Sequence, residues 1–96
     1  MTRRVLRCTI AIDDYNTVTL PDDAKIVHTA PCRIQPNERI DIWYETSSPT
    51  QRLWTRIHVE GTGHPIAEST THIGTVVCPN GLVWHLYLDN DPEESR

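Results

Sequence analysis

Apolar and polar side chains alternate along most of this chain, the period-two pattern of strands that bury one face. From Leu6 the apolar positions recur at Cys8, Ile10 and Ile12, with Arg7, Thr9 and Ala11 between them. Asp13-Asp14-Tyr15-Asn16 breaks that run with turn-forming side chains. Thr17 to Leu20 is a short β-branched stretch, and Pro21-Asp22-Asp23 turns the chain because proline presets φ. Lys25 to Ala30 resumes a strand that ends at Pro31. Residues 31–39 hold two prolines, Asn37 and several charges, and read as a loop.

Ile40 to Thr46 alternates again, with Ile40, Ile42 and Tyr44 on one face and Asp41, Trp43 and Glu45 on the other. After a turn at Ser47-Ser48-Pro49-Thr50, Arg52 to Glu60 is the cleanest strand. Leu53, Thr55, Ile57 and Val59 face one way there, and Trp54, Arg56, His58 and Glu60 the other. Gly61 to Thr71 is a long connection with two glycines and a proline. His72 to Cys78, a tight Pro79-Asn80-Gly81 turn and Leu82 to Leu88 complete the pattern.

About seven strands at spacings of roughly 8–14 residues predict an all-β fold, a small antiparallel sandwich or barrel-like meander. One domain over residues 1–88 is expected, followed by a polar acidic tail, 89–96, expected to be disordered. Two hairpins are predicted, one joined by Ser48-Pro49 and one by Asn80-Gly81. Thr17–Leu20 and Lys25–Ala30 are short and bounded by proline, which is how sheet edges are blunted, so both are placed near an edge.

Composition narrows the classes. At 96 residues there is room for one core. Thirteen acids against nine bases, a formal charge of −4, argue against non-specific nucleic-acid binding, which lives on clustered Lys and Arg. The basic start (Arg3, Arg4, Arg7) and the acidic end (Asp89, Asp91, Glu93, Glu94) read as solvated termini. No stretch approaches the roughly 20 apolar residues needed to cross a bilayer, and no signal peptide is recognised, so action inside the producing cell is expected. The three cysteines (Cys8, Cys32, Cys78) form no CxxC or CxxH pair and read as buried, inert thiols.

Five histidines (His28, His58, His64, His72, His85) raise the question of a metal, but they lack HxxxH or HxH spacing, so no metal or cofactor is assigned. No GxSxG is present, and nothing pairs Cys32 with a base; Asp13-Asp14 and Asp22-Asp23 sit in turns, where aspartate caps backbone amides. No catalytic residue is assigned.

Gly61-Thr62-Gly63-His64-Pro65 is the most distinctive local feature. It reads either as amides exposed to cradle an anion, or as a tight strand exit in which Thr62 or His64 bonds back to the chain. Of the three tryptophans, Trp84 alternates with Leu82, Leu86 and Leu88 and is expected in the core. Trp43 and Trp54 share faces with charges. If a hairpin joins their strands, they stand near each other on a partly polar face suited to an interface.

Three segments carry a resemblance: "VTLPDDAKIVH" (Val18–His28), "VEGTGHPI" (Val59–Ile66), and "HIGTVV" (His72–Val77) with "LVWHLYL" (Leu82–Leu88). Together they resemble a family of short uncharacterised bacteriophage and prophage proteins, departing from it in the proline-rich stretch Cys32–Arg39. The resemblance implies a non-enzymatic accessory product in the host cytoplasm.

The expected function is a phage-encoded binding protein, homo-oligomeric, that engages a host protein or sequesters a small anionic, nucleotide-like molecule. Its expected contacts are Trp43, Trp54, Arg56, His58, Gly61, Thr62, Gly63, His64 and His85. If it dimerises, the polar face of Arg52–Glu60 is the expected interface. The rival readings are a virion component, either a capsid decoration or a tail accessory protein, and a minor enzyme acting through His64 or His85.

Overall fold

The computed structural model describes residues 2–47 and 52–90. The turn expected at Ser48-Pro49 and the part of the expected tail from Asp91 onwards lie outside these residues. Seven strands follow in order: β1 (Arg4–Ala11), β2 (Tyr15–Pro21), β3 (Lys25–Pro31), β4 (Arg39–Thr46), β5 (Arg52–Gly61), β6 (Thr70–Val77) and β7 (Val83–Asp89). They form two antiparallel sheets, sheet A in the order β1-β4-β3 and sheet B in the order β2-β5-β7-β6. Of the two all-β forms expected from the alternation, a sandwich and a barrel-like meander, the sandwich is the architecture. No helix occurs among the described residues, so none is long and apolar enough to cross a membrane.

The inward positions of both sheets make the core. Ile10, Ile40 and Ile42 from sheet A meet Ile57, Val59, Val76 and Leu86 from sheet B, and Trp84 and Leu88 pack against them. Ile40, Ile42, Ile57 and Leu86 have no exposed surface at all. Each such side chain contributes about 1.5–3 kcal/mol of burial, which offsets the entropy of ordering the strands.

The hairpin expected at Ser48-Pro49 does not form. β4 pairs with β1 and β3, while β5 pairs with β2 and β7 in the other sheet. Both strands own a mainly apolar face, and the sandwich buries both by turning them towards each other, which side-by-side pairing would not do. Trp43 and Trp54 consequently lie on opposite outer surfaces.

The second hairpin does form, with a different turn. Gly81 N–H donates to Cys78 C=O at 2.9 Å, Cys78 N–H donates to Leu82 C=O at 2.9 Å, and Gly81 has φ 89°. Asn80 has no positive φ, so this is a three-residue loop with Pro79-Asn80 in the turn and Gly81 in the left-handed position. The two short strands bounded by proline are edges as expected, β2 of sheet B and β3 of sheet A. The last strand runs one residue past its predicted end. Asn90 is also held, its amide donating to Ser69 C=O and its side chain accepting from Thr71 Oγ1.

One side of the sandwich is closed by β3 lying against β6. The contact depends on Gly74. A Cβ there would run into the Thr29 hydroxyl and sit 2.8 Å from its methyl carbon. Both strands carry a register shift beside this contact, between Ile26 and His28 and between His72 and Gly74. Such bulges bend and twist an edge, here towards its neighbour.

Asp41 departs from the plain alternation, since its outward carboxylate is 1% exposed. Thr9 Oγ1, directly opposite on β1, donates to it at 2.7 Å, and the Arg33 guanidinium lies 3.7 Å away. A buried carboxylate needs such partners. Asp23 has the structural role expected of a turn aspartate, accepting from Ser47 N–H at 2.9 Å and from the Thr46 and Ser47 hydroxyls.

Candidate functional site

Sheet B turns its outer face to solvent, and the strand register decides what gathers there. Tyr15 on β2 lies opposite His58 on β5, His58 opposite Tyr87 on β7, and Tyr87 opposite His72 on β6. The result is one row of four rings across all four strands. Tyr15 and His58 centroids are 6.3 Å apart, and His72 meets Tyr87 edge-on at 5.2 Å. Next to the row, the Arg56 guanidinium lies 4.7 Å over the Tyr15 ring, and His58 Nε2 is 3.7 Å from the Asp89 carboxylate. Trp54, two positions beyond Arg56 on the same face, is 53% exposed.

A hydrogen-bonded chain borders this row. His72 Nε2 meets Thr75 Oγ1 at 2.9 Å, Thr75 Oγ1 meets His85 Nδ1 at 3.1 Å, and His85 Nε2 meets Thr62 Oγ1 at 2.9 Å. The Thr75 hydroxyl has one proton, so it can donate to only one of its two imidazoles, and the other must donate to it. The tautomers of His72 and His85 are thereby coupled, and Thr62 is tied to the sheet. A hydroxyl beside an imidazole is one element of nucleophilic catalysis. The group behind His85, however, is a threonine, where catalytic sites place a carboxylate.

The GTGHP segment resolves as a turn. His64 N–H donates to Gly61 C=O at 3.1 Å, and Gly63 at the third position has φ 92°, the geometry of a type II turn that glycine alone accepts easily. Gly61 is favoured for a different reason: a Cβ there would stand 3.1 Å from the His64 ring, which packs over it. His64 then borders two hollows at this end of the sandwich. One, of about 480 Å³, is lined by Ile12, Asp13, Asp14, Tyr15, Val59, His64 and Trp84. The other, of about 390 Å³, is lined by Gly61, Thr62, His64, Gly81, Leu82, Val83 and Trp84.

Of the residues singled out from sequence, Trp54, Arg56, His58 and His85 share the outer face of sheet B, and Thr62 joins them through His85. Gly61, Gly63 and His64 stand at the adjoining end of β5. Trp43 stands apart, half-buried on the outer face of sheet A with the His28 ring 5.6 Å away. Tyr15, Tyr87, His72, Thr75, Asp13, Asp14 and the groove-facing side of Trp84 are not anticipated by the sequence reading. For Tyr87 the signal was available. Leu86 and Leu88 point inwards, so His85, Tyr87 and Asp89 must point out together.

Among the described residues no three His, Cys, Asp or Glu side chains converge on a point that could hold a metal ion. Burial pushes the Cys78 thiol above its ordinary pKa; burial and then the Asp41 charge do the same for Cys8. Both thiols are held in their unreactive form; Cys32 and Cys78 are buried as expected, whereas Cys8 is only half-buried.

A domain of unknown function, DUF7352, matches the whole chain, residues 1–96. This chain belongs to that family. No curated protein and no solved structure matches it. For this DUF7352 chain, then, the sheet B face and the His64 end speak through their own chemistry.

Proposed function

We propose that this DUF7352 chain is a non-catalytic accessory binding protein of bacteriophage or prophage origin. It works in the host cytoplasm as a homo-oligomer and engages a host protein through the outer face of sheet B. The observation that carries this reading is Trp54, half exposed beside the Arg56–Tyr15 pair on a face that no other described element covers. Tryptophan, tyrosine and arginine are the residue types that dominate protein interfaces, and here all three adjoin on a broad sheet. A small anion would instead need a concave site with cations converging on it. Of the two hollows beside His64, one is lined by two aspartates and neither by a lysine or arginine, so the geometry favours the protein partner over the nucleotide-like ligand.

Two residues at that face give the test. Trp54 is half exposed and outside the core cluster, so Trp54→Ala should lower the thermal midpoint modestly and leave the domain folded. Its complex with the captured host protein, measured by native mass spectrometry and titration, should weaken by at least about 2 kcal/mol, the scale of an interface hot spot. Arg56→Ala should act in the same direction. Complexes unchanged in both variants would remove the sheet B face from the reading, and a purified protein carrying only a nucleotide-sized adduct would replace the protein partner. Recovery of the chain in purified particles would shift the role to that of a virion component.

A further inference from the structure

The two hollows at the His64 end are halves of one groove. His64 and Trp84 line both, and the imidazole seated over Gly61 is the partition between them. Gly61 also lies directly opposite Trp84 in the β5–β7 register, so no side chain from β5 covers the indole at that point. Each half has the size of a small-ligand site, a few hundred Å³.

The two ends differ in chemistry. At the first, Asp13 and Asp14 are exposed on the β1–β2 turn, and neither carboxylate has a side-chain partner among the described residues. No lysine or arginine lines this half, and its walls are Tyr15, Trp84, Ile12 and Val59. At the second, Leu82, Val83 and the far flank of Trp84 offer an apolar wall, with Thr62 and glycine backbone at the rim. An anion is repelled by the first end, and a purely apolar ligand leaves two carboxylates unused. An ammonium group carried on an apolar arm satisfies both, since carboxylates and aromatic faces each favour a cation while indole and aliphatic side chains favour the arm.

We propose that this groove binds an organic ammonium ion, the charge held at Asp13 and Asp14 and the apolar arm lying past His64 along Trp84. The site adjoins the protein-binding face of sheet B, with Tyr15 common to both, and does not depend on that reading. Its ligand is either a free arylalkylamine or a lysine side chain next to an apolar residue in a polypeptide, which present the same chemistry.

The test uses isosteric probes that differ in charge. In two-dimensional amide and indole NMR of the full chain, phenethylamine should give saturable shifts at the Trp84 indole and at Gly61–His64. Phenethyl alcohol and phenylacetate should give neither. Asp13→Asn with Asp14→Asn keeps turn-forming side chains and should weaken phenethylamine about tenfold, the scale of a lost charge-assisted contact at an exposed site. Trp54→Ala should leave the titration unchanged, which keeps this result independent of the sheet B face. A Lys-Phe dipeptide blocked at both ends, binding more tightly than phenethylamine, would assign the site to a polypeptide; the reverse order would assign it to a free amine. Equal binding of the alcohol, tighter binding of phenylacetate, or shifts confined to other parts of the molecule would overturn the proposal, as would no shift at all.

Discussion

Alanine at position 74 would place a methyl group into the seam where β6 lies against β3. The new Cβ overlaps the Thr29 hydroxyl and approaches the Thr29 methyl carbon to 2.8 Å and its Cβ to 3.1 Å. Carbon atoms pack at about 3.5–4.0 Å, so the methyl contact falls about 0.7 Å short. Thr29 cannot simply swing away. It is β-branched, and it is buried on β3 beside the core. The strands must part or the rotamer must strain, which in packed sites costs about 1–3 kcal/mol.

One effect runs the other way. Alanine restricts the unfolded chain more than glycine does, a gain of about 0.4–1 kcal/mol, and Gly74 does not use a positive φ that alanine would refuse. The clash outweighs that gain, and a net loss of about 1–2 kcal/mol is expected. In a domain of this size that lowers the thermal midpoint by about 4–16 °C. The decisive assay is a double-mutant cycle. Thr29→Ala alone should cost about 1 kcal/mol for its lost methyl and hydroxyl, yet Gly74→Ala with Thr29→Ala should be more stable than the two losses added together, by at least about 0.5 kcal/mol. Thr29→Ser, which keeps the hydroxyl that overlaps first, should rescue less. A neutral Gly74→Ala, or strict additivity with Thr29→Ala, would refute the account of how the sandwich closes.

Two further outcomes are expected. Because burial raises the folded-state pKa of the Cys8 and Cys78 thiols above 9.0, their contribution to stability is complete below about pH 9 and is lost as pH rises beyond it. Urea midpoints measured between about pH 8 and pH 10 should fall, and Cys8→Ala and Cys78→Ala should each flatten that fall. Gly81→Ala should cost about 1–2 kcal/mol from backbone strain alone, since φ 89° is unfavourable for alanine while the space around its Cβ is open. Asparagine there should cost less, read as the smaller drop in midpoint.

The fold was legible in the sequence because most strands keep one clean apolar face. Ile40, Ile42 and Tyr44, or Thr55, Ile57 and Val59, each announce a strand and its buried side without any knowledge of partners. The same clarity misled on pairing. The Ser-Pro sequence between β4 and β5 reads as a hairpin connection, and only the need to bury both apolar faces against each other sends the two strands to different sheets. A single sequence fixes which residues face inwards far better than which strand lies beside which, because alternation is local and pairing is not. Asn80-Gly81 marked the right place but the wrong turn, since Pro79 takes the first turn position and leaves the left-handed conformation to Gly81.

For the candidate site, position along the strand was legible and company was not. Trp54, Arg56 and His58 were readable as one face, because β5 alternates without interruption. Their neighbours were hidden by register and by the bulge in β6. Strict alternation from Val76 back through Gly74 would send His72 inwards with them. The extra residue at Ile73 reverses that, placing His72 outside with Thr75, three positions away, and bringing both to His85. Tyr15 was hidden for a different reason. It follows two aspartates in what reads as a turn, and it becomes the first residue of β2 only because Asp14 C=O accepts from Val59 N–H and draws the chain onto β5. That single attachment puts the Tyr15 ring under Arg56 and at the mouth of the His64 groove, so the β1–β2 turn supplies a residue to the sheet face and two carboxylates to the groove at once. A substitution that loosens this turn should therefore disturb both surfaces, whereas Trp54→Ala and Asp13→Asn with Asp14→Asn each disturb one.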